Sequence, residues 1–207
     1  MMALSLLKKA VQIGGVSLLL VACAHTESDD QFSAAQQADI TRVEQYFNAR
    51  QGFKGQFVHF WPNNSQSSGM ISYVPGHLRL DYLSPDAKIA VAGQEKLVVV
   101  DKKNDARTEM GLSHDPVGLL LAVPVKFSGP IEVTSLQHQG NQLQLSLTRR
   151  DNPSQGLLTL QMTQDKGQLV INRIESVDIR GGHNRFLIYN VKIGVTFPEQ
   201  WFAFPGE

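Results

Sequence analysis

One cysteine in 207 residues removes several chemistries at once, because an internal disulfide, a thiolate zinc site and an iron–sulfur cluster each need more than one. Charge is also scarce. Asp, Glu, Lys and Arg make up 18% of the chain, against ~25% in an ordinary globular protein, and 19 basic residues balance 19 acidic ones. Much of the polar surface must then come from neutral amides, of which the 18 glutamines supply the largest share. A surface of that kind has no long-range field to steer a polyanion, so nucleic acid is excluded as an expected partner. Long hydrophobic runs are missing too: the longest apolar stretch, Ala10 to Ala22, falls short of the ~20 residues needed to span a bilayer as a helix.

That stretch follows Lys8 and Lys9, the order of a secretory signal. It ends in Leu20-Val21-Ala22-Cys23, which resembles a bacterial lipobox presenting Cys23 for lipidation. The rival reading is ordinary cleavage, since Ala22-Cys23-Ala24 also satisfies the small-x-small rule and would discard the cysteine. His25 to Gln31 is polar, as a tether holding a lipid-anchored domain off a membrane would be. The expected organisation is a signal peptide over 1–23, a tether over 24–32 and one domain over 33–207. The expected location is the periplasm, with anchoring to the outer membrane if Cys23 is lipidated.

From Ser33 a helix is signalled by a Ser33/Gln36 capping pair, by Ile40, Val43, Tyr46 and Phe47 at helical spacing, and by Gly52 beyond the end. The period then falls to two. In His77 to Tyr82, Leu78, Leu80 and Tyr82 share one face, and in Gln142 to Arg149, Leu143, Leu145 and Leu147 do the same. About eleven such runs alternate with Gly, Pro, Asn and Asp clusters. The expected fold is mainly β, a strongly curved antiparallel sheet or barrel of about eleven strands with an N-terminal helix. Asp115 before Pro116 interrupts the strands as an N-cap with proline at the first helical position. It opens a short inserted helix, Val117 to Ala122, whose consecutive Leu119, Leu120 and Leu121 need cover on several sides, so that it would plug the curved sheet.

Catalytic patterns are missing. The six histidines form no His-x-x-x-His pair, and there is no Gly-x-Ser-x-Gly, P-loop or Gly-x-Gly-x-x-Gly. Gly181-Gly182 lies between two strand patterns and reads as a hairpin turn. The expectation is a non-enzymatic chain with no cofactor and no metal. Phe57, Phe60, Trp61, Tyr73 and Tyr82 fall in the first three strands. Either they fill the core, or a curved sheet short of fillers leaves an apolar cavity for an acyl chain.

The order of segments carries a resemblance. Gly55-Gln56-Phe57-Val58, Gly69 through Tyr73, Pro75 through Tyr82, Val91-Ala92-Gly93-Gln94, Leu97 through Asp101, Ser113 through Leu121, Asp151 through Gly156 and the ending from Asn190 to Phe204 together resemble the periplasmic lipoprotein carrier family, LolA. The resemblance implies an unclosed antiparallel β-barrel with helices over its mouth, the inserted helix serving as a lid helix, a cavity receiving the acyl chains of lipoproteins, and no catalysis. It implies acylated lipoproteins as ligands, an inner-membrane lipoprotein-releasing transporter and an outer-membrane receptor as partners, and action as a monomer. Lipidation of Cys23 would instead favour the anchored receptor of the same fold, LolB, or an accessory envelope lipoprotein without a diffusible ligand. In one place the chain departs from the family: Val74 stands where the carrier commonly has an arginine that holds the lid closed. The residues expected to line the cavity are Phe57, Leu78, Leu80, Tyr82, Val98, Val100, Leu119, Leu120, Leu143 and Leu145. A one-residue slip in any strand would turn its members to the other face.

Overall fold

Ser33 opens the N-terminal helix, α1 (Ala34–Asn48), through a complete capping box: the Gln36 N–H donates to Ser33 Oγ at 3.3 Å, and the Ser33 N–H donates to Gln36 Oε1 at 2.9 Å. The computed structural model describes residues 31–206 other than Gln94 and Ile179; Cys23, the leader and the tether through Asp30 lie outside the described residues. Ile40, Val43 and Phe47 form the buried stripe of α1, as their spacing predicts.

Eleven strands follow: β1 (Gly52–Phe60), β2 (Gln66–Val74), β3 (His77–Ser84), β4 (Lys88–Gly93), β5 (Lys96–Asp101), β6 (Ala106–Gly111), β7 (Ile131–Gln139), β8 (Gln142–Arg149), β9 (Leu157–Asp165), β10 (Gln168–Val177) and β11 (His183–Val195). All pairings are antiparallel, in the order β6-β5-β4-β3-β2-β1-β11-β10-β9-β8-β7. Two meanders are thus sewn together where β1 meets β11, and β6 and β7 remain as the edges of the sheet. The barrel is unclosed, as expected. The hairpins are made by residues that tolerate positive φ, including Gly76 after Pro75 (φ 84°) and the Lys166-Gly167 pair (φ 48° and 84°). Register shifts at Lys54/Gln56, Ser68/Gly69, Val133/Ser135 and Ile171/Arg173 bend and coil the sheet toward one concave face. Gly69 permits a close approach of β2 to β3, since a Cβ there would run into the Asp81 carbonyl.

The chain crosses from edge β6 to edge β7 through residues 112–130, which hold the inserted lid. Its helical part is a five-residue 3-10 turn, Pro116–Leu120, where a longer helix to Ala122 is expected from sequence. Asp115 caps it by accepting from the Val117 N–H at 2.9 Å, and the Leu121 N–H closes it onto Gly118 O at 3.1 Å, an i→i+3 bond. After β11 the C-terminal segment turns over the convex face. Arg79, bidentate to Asp81, donates to Trp201 O at 3.0 Å and lies over the Trp201 ring, while Phe204 packs on Val91 and Val98.

Candidate functional site

The concave face is filled unevenly. On β7 to β10 the inward residues are large: Leu143, Leu145, Leu147, Leu158, Leu160, Met162 and Ile171 are fully buried, with α1 and the lid leucines Leu119 and Leu120 packed among them. On β3 to β5 the inward rows alternate large and small, pairing Leu78 with Ala92 and Leu97, and Leu80 with Ala90 and Val99. Two alanines in the middle of the floor leave space that no helix fills. The result is a cavity of about 600 Å³, within the ~300–1,000 Å³ of a typical small-ligand site. Ile71, Leu112, Val117, Ile174 and Phe186 complete its apolar wall. A larger, more open cleft of about 1390 Å³ lies at the opposite end of the sheet, between the Val74-Pro75 turn and Phe197 to Phe204. It is bounded by turns and the C-terminal segment, and it meets the concave side only at Tyr46 and Phe53.

The end of the cavity where β1 finishes is polar. His59 continues the inward row of β1 and is buried. Its ring stacks on Phe186 (centroids 3.9 Å apart, 20° between planes), and Trp61 covers it at 3.8 Å. With Asn184 Oδ1 3.1 Å from Nε2, that nitrogen carries the proton and donates. Nδ1 then accepts from the Tyr82 hydroxyl at 3.0 Å. Burial lowers the imidazole pKa to about 4, against a smaller upward pull from Asn184, so the ring is neutral at physiological pH. Burial also pushes the Tyr82 phenol above its ordinary range. Trp61, 37% exposed, donates its indole N–H to Ser67 Oγ at 3.0 Å. Asp115 contributes a carboxyl whose pKa is raised, first by burial and further by the nearby Asp178, with the Val117 N–H pulling it back.

Three of the ten residues expected to line the cavity do so: Leu78, Leu80 and Tyr82. Phe57, Leu119, Leu120, Leu143 and Leu145 sit in the core of the same concave side without reaching the cavity wall. Val98 and Val100 face the other way. In β5 the inward residues are Leu97 and Val99, register partners of Ala92 and Ala90, so the alternation sends Val98 and Val100 to the convex face. There Val98 is covered by Phe204. The run Leu97-Val98-Val99-Val100 has no apolar/polar alternation to choose a face, because both of its faces are covered. The residues missed are the small floor pair Ala90 and Ala92 and the rim pair His59 and Asn184. Alanine alternating with Ile89 and Val91 is the signal for the floor; a lone polar residue in the otherwise apolar inward row of β1 is the signal for His59.

The elements over the cavity are tied down by specific bonds. The Tyr73 hydroxyl, on β2, lies 3.1 Å from Phe47 O in the last turn of α1 and 2.8 Å from Leu120 O in the lid. Asn48 donates to Val125 O at 2.7 Å and accepts from its N–H at 2.8 Å, which fixes α1 to the crossover. Buried Gln155 donates to Leu112 O and Asp115 O from below the lid. Tyr73 thus makes lid contacts next to Val74, the position of the expected arginine.

No three His, Cys, Asp or Glu side chains converge on a point among the described residues. What the site offers is a mostly apolar trough with a hydrogen-bonding rim, mounted on an open antiparallel barrel, the architecture of a carrier or binding fold. The chain belongs to the family described as outer membrane lipoprotein carrier protein LolA, whose profile matches residues 48–205; the superfamily is a non-enzymatic carrier and binding fold. Among solved structures the chain is similar to a DUF1329 family protein from Desulfovibrio piger (TM-score 0.50, 8% identity, 81% of this chain and 95% of that one). It is also similar to a LolA superfamily protein from Nitrosomonas europaea (TM-score 0.47, 12% identity, 81% and 97%) and to an uncharacterized conserved protein from Thermus thermophilus (0.48, 12%, 84% and 96%). No curated protein matches the chain.

Proposed function

We propose that this chain is a cell-envelope lipoprotein-binding protein that holds acyl chains in the cavity beneath its lid and acts in carriage or sorting of lipoproteins to the outer membrane. The observation that carries the reading is the trough itself: Leu78, Leu80 and Tyr82 stand over a floor of Ala90 and Ala92 in a face otherwise packed solid. Transfer of a sixteen-carbon chain into such a space contributes on the order of 10 kcal/mol, at ~0.8 per CH₂, before ordering costs reduce it. The ligand arrives from an inner-membrane lipoprotein-releasing transporter and leaves to an outer-membrane receptor, with the protein acting as a monomer in the periplasm. Leu20 through Cys23 favours a second reading in one respect: lipidation of Cys23 would make the protein an anchored receptor or accessory lipoprotein. Mass spectrometry of the mature N-terminus decides between these.

Binding is tested by incubating the purified protein with lipoprotein released from membranes and measuring the complex. Leu80→Asp is expected to abolish acceptance by placing a charge inside the trough. Ala90→Phe fills the same space without charge and is expected to weaken acceptance at least about tenfold, the effect of losing ~1.4 kcal/mol of binding. A folded Ala90→Phe variant that accepts lipoprotein undiminished removes the trough as the binding site.

A further inference from the structure

Resting on the acyl-cavity reading, we propose that Asp86 and Asp115 make this cavity select acyl chains with uncharged heads, esters and amides, over fatty acids and other anionic amphiphiles. Apart from His59 and Tyr82, the ionisable groups lining the cavity are Asp86, Lys88 and Asp115. Lys88 is engaged, with its ammonium 3.7 Å from Asp101. The cation nearest Asp86 is Lys103, 4.0 Å away on a side chain 74% exposed, where water and salt screen it. Asp178 adds another carboxylate beside Asp115. An anionic head entering this mouth meets Asp115, whose carboxyl is partly desolvated, and Asp86, whose side chain is 49% exposed and acts through more solvent, and no uncommitted ammonium or guanidinium among the described lining residues.

Neutral heads find a different set of groups. Ser67 accepts from Trp61 and keeps its own hydroxyl proton for a ligand carbonyl. The Asn184 amide oxygen is taken by His59, which leaves its NH₂ as a second donor. His59 offers nothing directly, since both ring nitrogens are engaged by Tyr82 and Asn184. The rim thus sets donors, Ser67 and Asn184 among them, beside the Asp86 and Asp115 carboxylates: it hydrogen-bonds an ester or amide oxygen and repels a free carboxylate or phosphate.

The test compares two twelve-carbon amphiphiles, monolauroylglycerol and laurate, below their micelle concentrations at about pH 8, where the laurate carboxyl is ionised. Binding to the full chain is followed by equilibrium dialysis and by tryptophan emission, to which Trp61 at the mouth contributes beside the distant Trp201. Monolauroylglycerol is expected to bind about tenfold more tightly than laurate. In the Asp86→Asn/Asp115→Asn double variant, laurate is expected to gain about fivefold while monolauroylglycerol stays within about twofold. Asparagine retains the acceptor that caps the lid, and Asp86→Asn alone, in an exposed turn, is expected to shift laurate in the same direction by a smaller factor. Laurate binding the native chain as tightly as monolauroylglycerol, or an unchanged ratio in both variants, overturns the selectivity and leaves the acyl cavity standing. Failure of both amphiphiles to bind overturns the acyl cavity, and the selectivity with it.

Discussion

The two halves of the concave face are each built from an antiparallel meander and end up with opposite properties. Strands β7 to β10 carry leucine, isoleucine and methionine inward and are sealed by α1; on the other side β4 carries Ala90 and Ala92 inward between the larger residues of β3 and β5, and that side is left hollow. Side-chain volume, not topology, separates the half that stabilises from the half that binds. Packing at crystal-like density makes the filled half intolerant of lost methylenes, whereas the hollow half has already accepted a deficit of contacts.

The largest expected effect tests that division directly. Leu160, fully buried between its register partners Leu145 and Ile174, should destabilise by about 4 kcal/mol when truncated to alanine, the sum of lost transfer energy and residual cavity. Chemical denaturation measures it, and acyl-ligand affinity of the folded variant should be unchanged. The mirror substitution, Ala90→Phe, should remove binding with stability altered by less than ~1 kcal/mol, because the ring enters vacant space. If Leu160→Ala impairs binding as strongly as Ala90→Phe, the halves are not separable and the comparison fails.

The next effect belongs to the rim of the hollow half. The His59 imidazole titrates near ~6.5 in an unfolded chain and near about 4 when folded. Between those pH values the unfolded chain holds the extra proton, so the contribution is complete above the unfolded value and is lost as pH falls toward the folded one. The loss should reach about 2–3 kcal/mol by pH ~4, at ~1.4 kcal/mol per pH unit. Denaturation midpoints measured from pH 7 downward check it, and His59→Gln should flatten the slope in that window. Among the described residues the filled half carries no equivalent buried histidine, so a slope that persists in His59→Gln would locate the acid sensitivity elsewhere.

Legibility from sequence followed the same division. Where one face is buried and the other wet, as in His77 to Tyr82, the alternation names the inward residues, and Leu78, Leu80 and Tyr82 are found on the cavity wall. Where both faces are covered the pattern is silent: β5 reads Leu97-Val98-Val99-Val100, and only the C-terminal Phe204 packed on its outer side explains why Val98 and Val100 turn away. The strand number and the capping of α1 are local properties and were readable, whereas the open edges came from the family resemblance. Which leucines fill and which line is not local, because it depends on the volume of residues opposite them. Leu143 and Leu145 face large neighbours on β9; Leu80 faces alanine.

The smallest expected effect concerns what joins the halves. Tyr73 stands on β2, in the packed core beside the hollow half, and its hydroxyl reaches the last turn of α1 and the lid, at Phe47 O and Leu120 O. One O–H supplies a single proton, so the two carbonyls share it, and the tie is weaker than two separate bonds would be. Tyr73→Phe keeps the ring stacked on Phe53, 5.3 Å between centroids, and removes only the donor. The expected cost is about 1 kcal/mol of global stability, the net worth of one buried hydrogen bond. The informative readout is kinetic. A lid held at one end by this bond and at the other by Gln155 should open more often without it, so amide exchange at Gly118 and Leu121 should quicken and ligand exchange accelerate about fivefold, the ~1 kcal/mol appearing as a rate. Unchanged ligand exchange beside a normal loss of stability would mean that the acyl chain enters past Trp61 at the open rim, and that the lid is part of the filled half instead of the door to the hollow one.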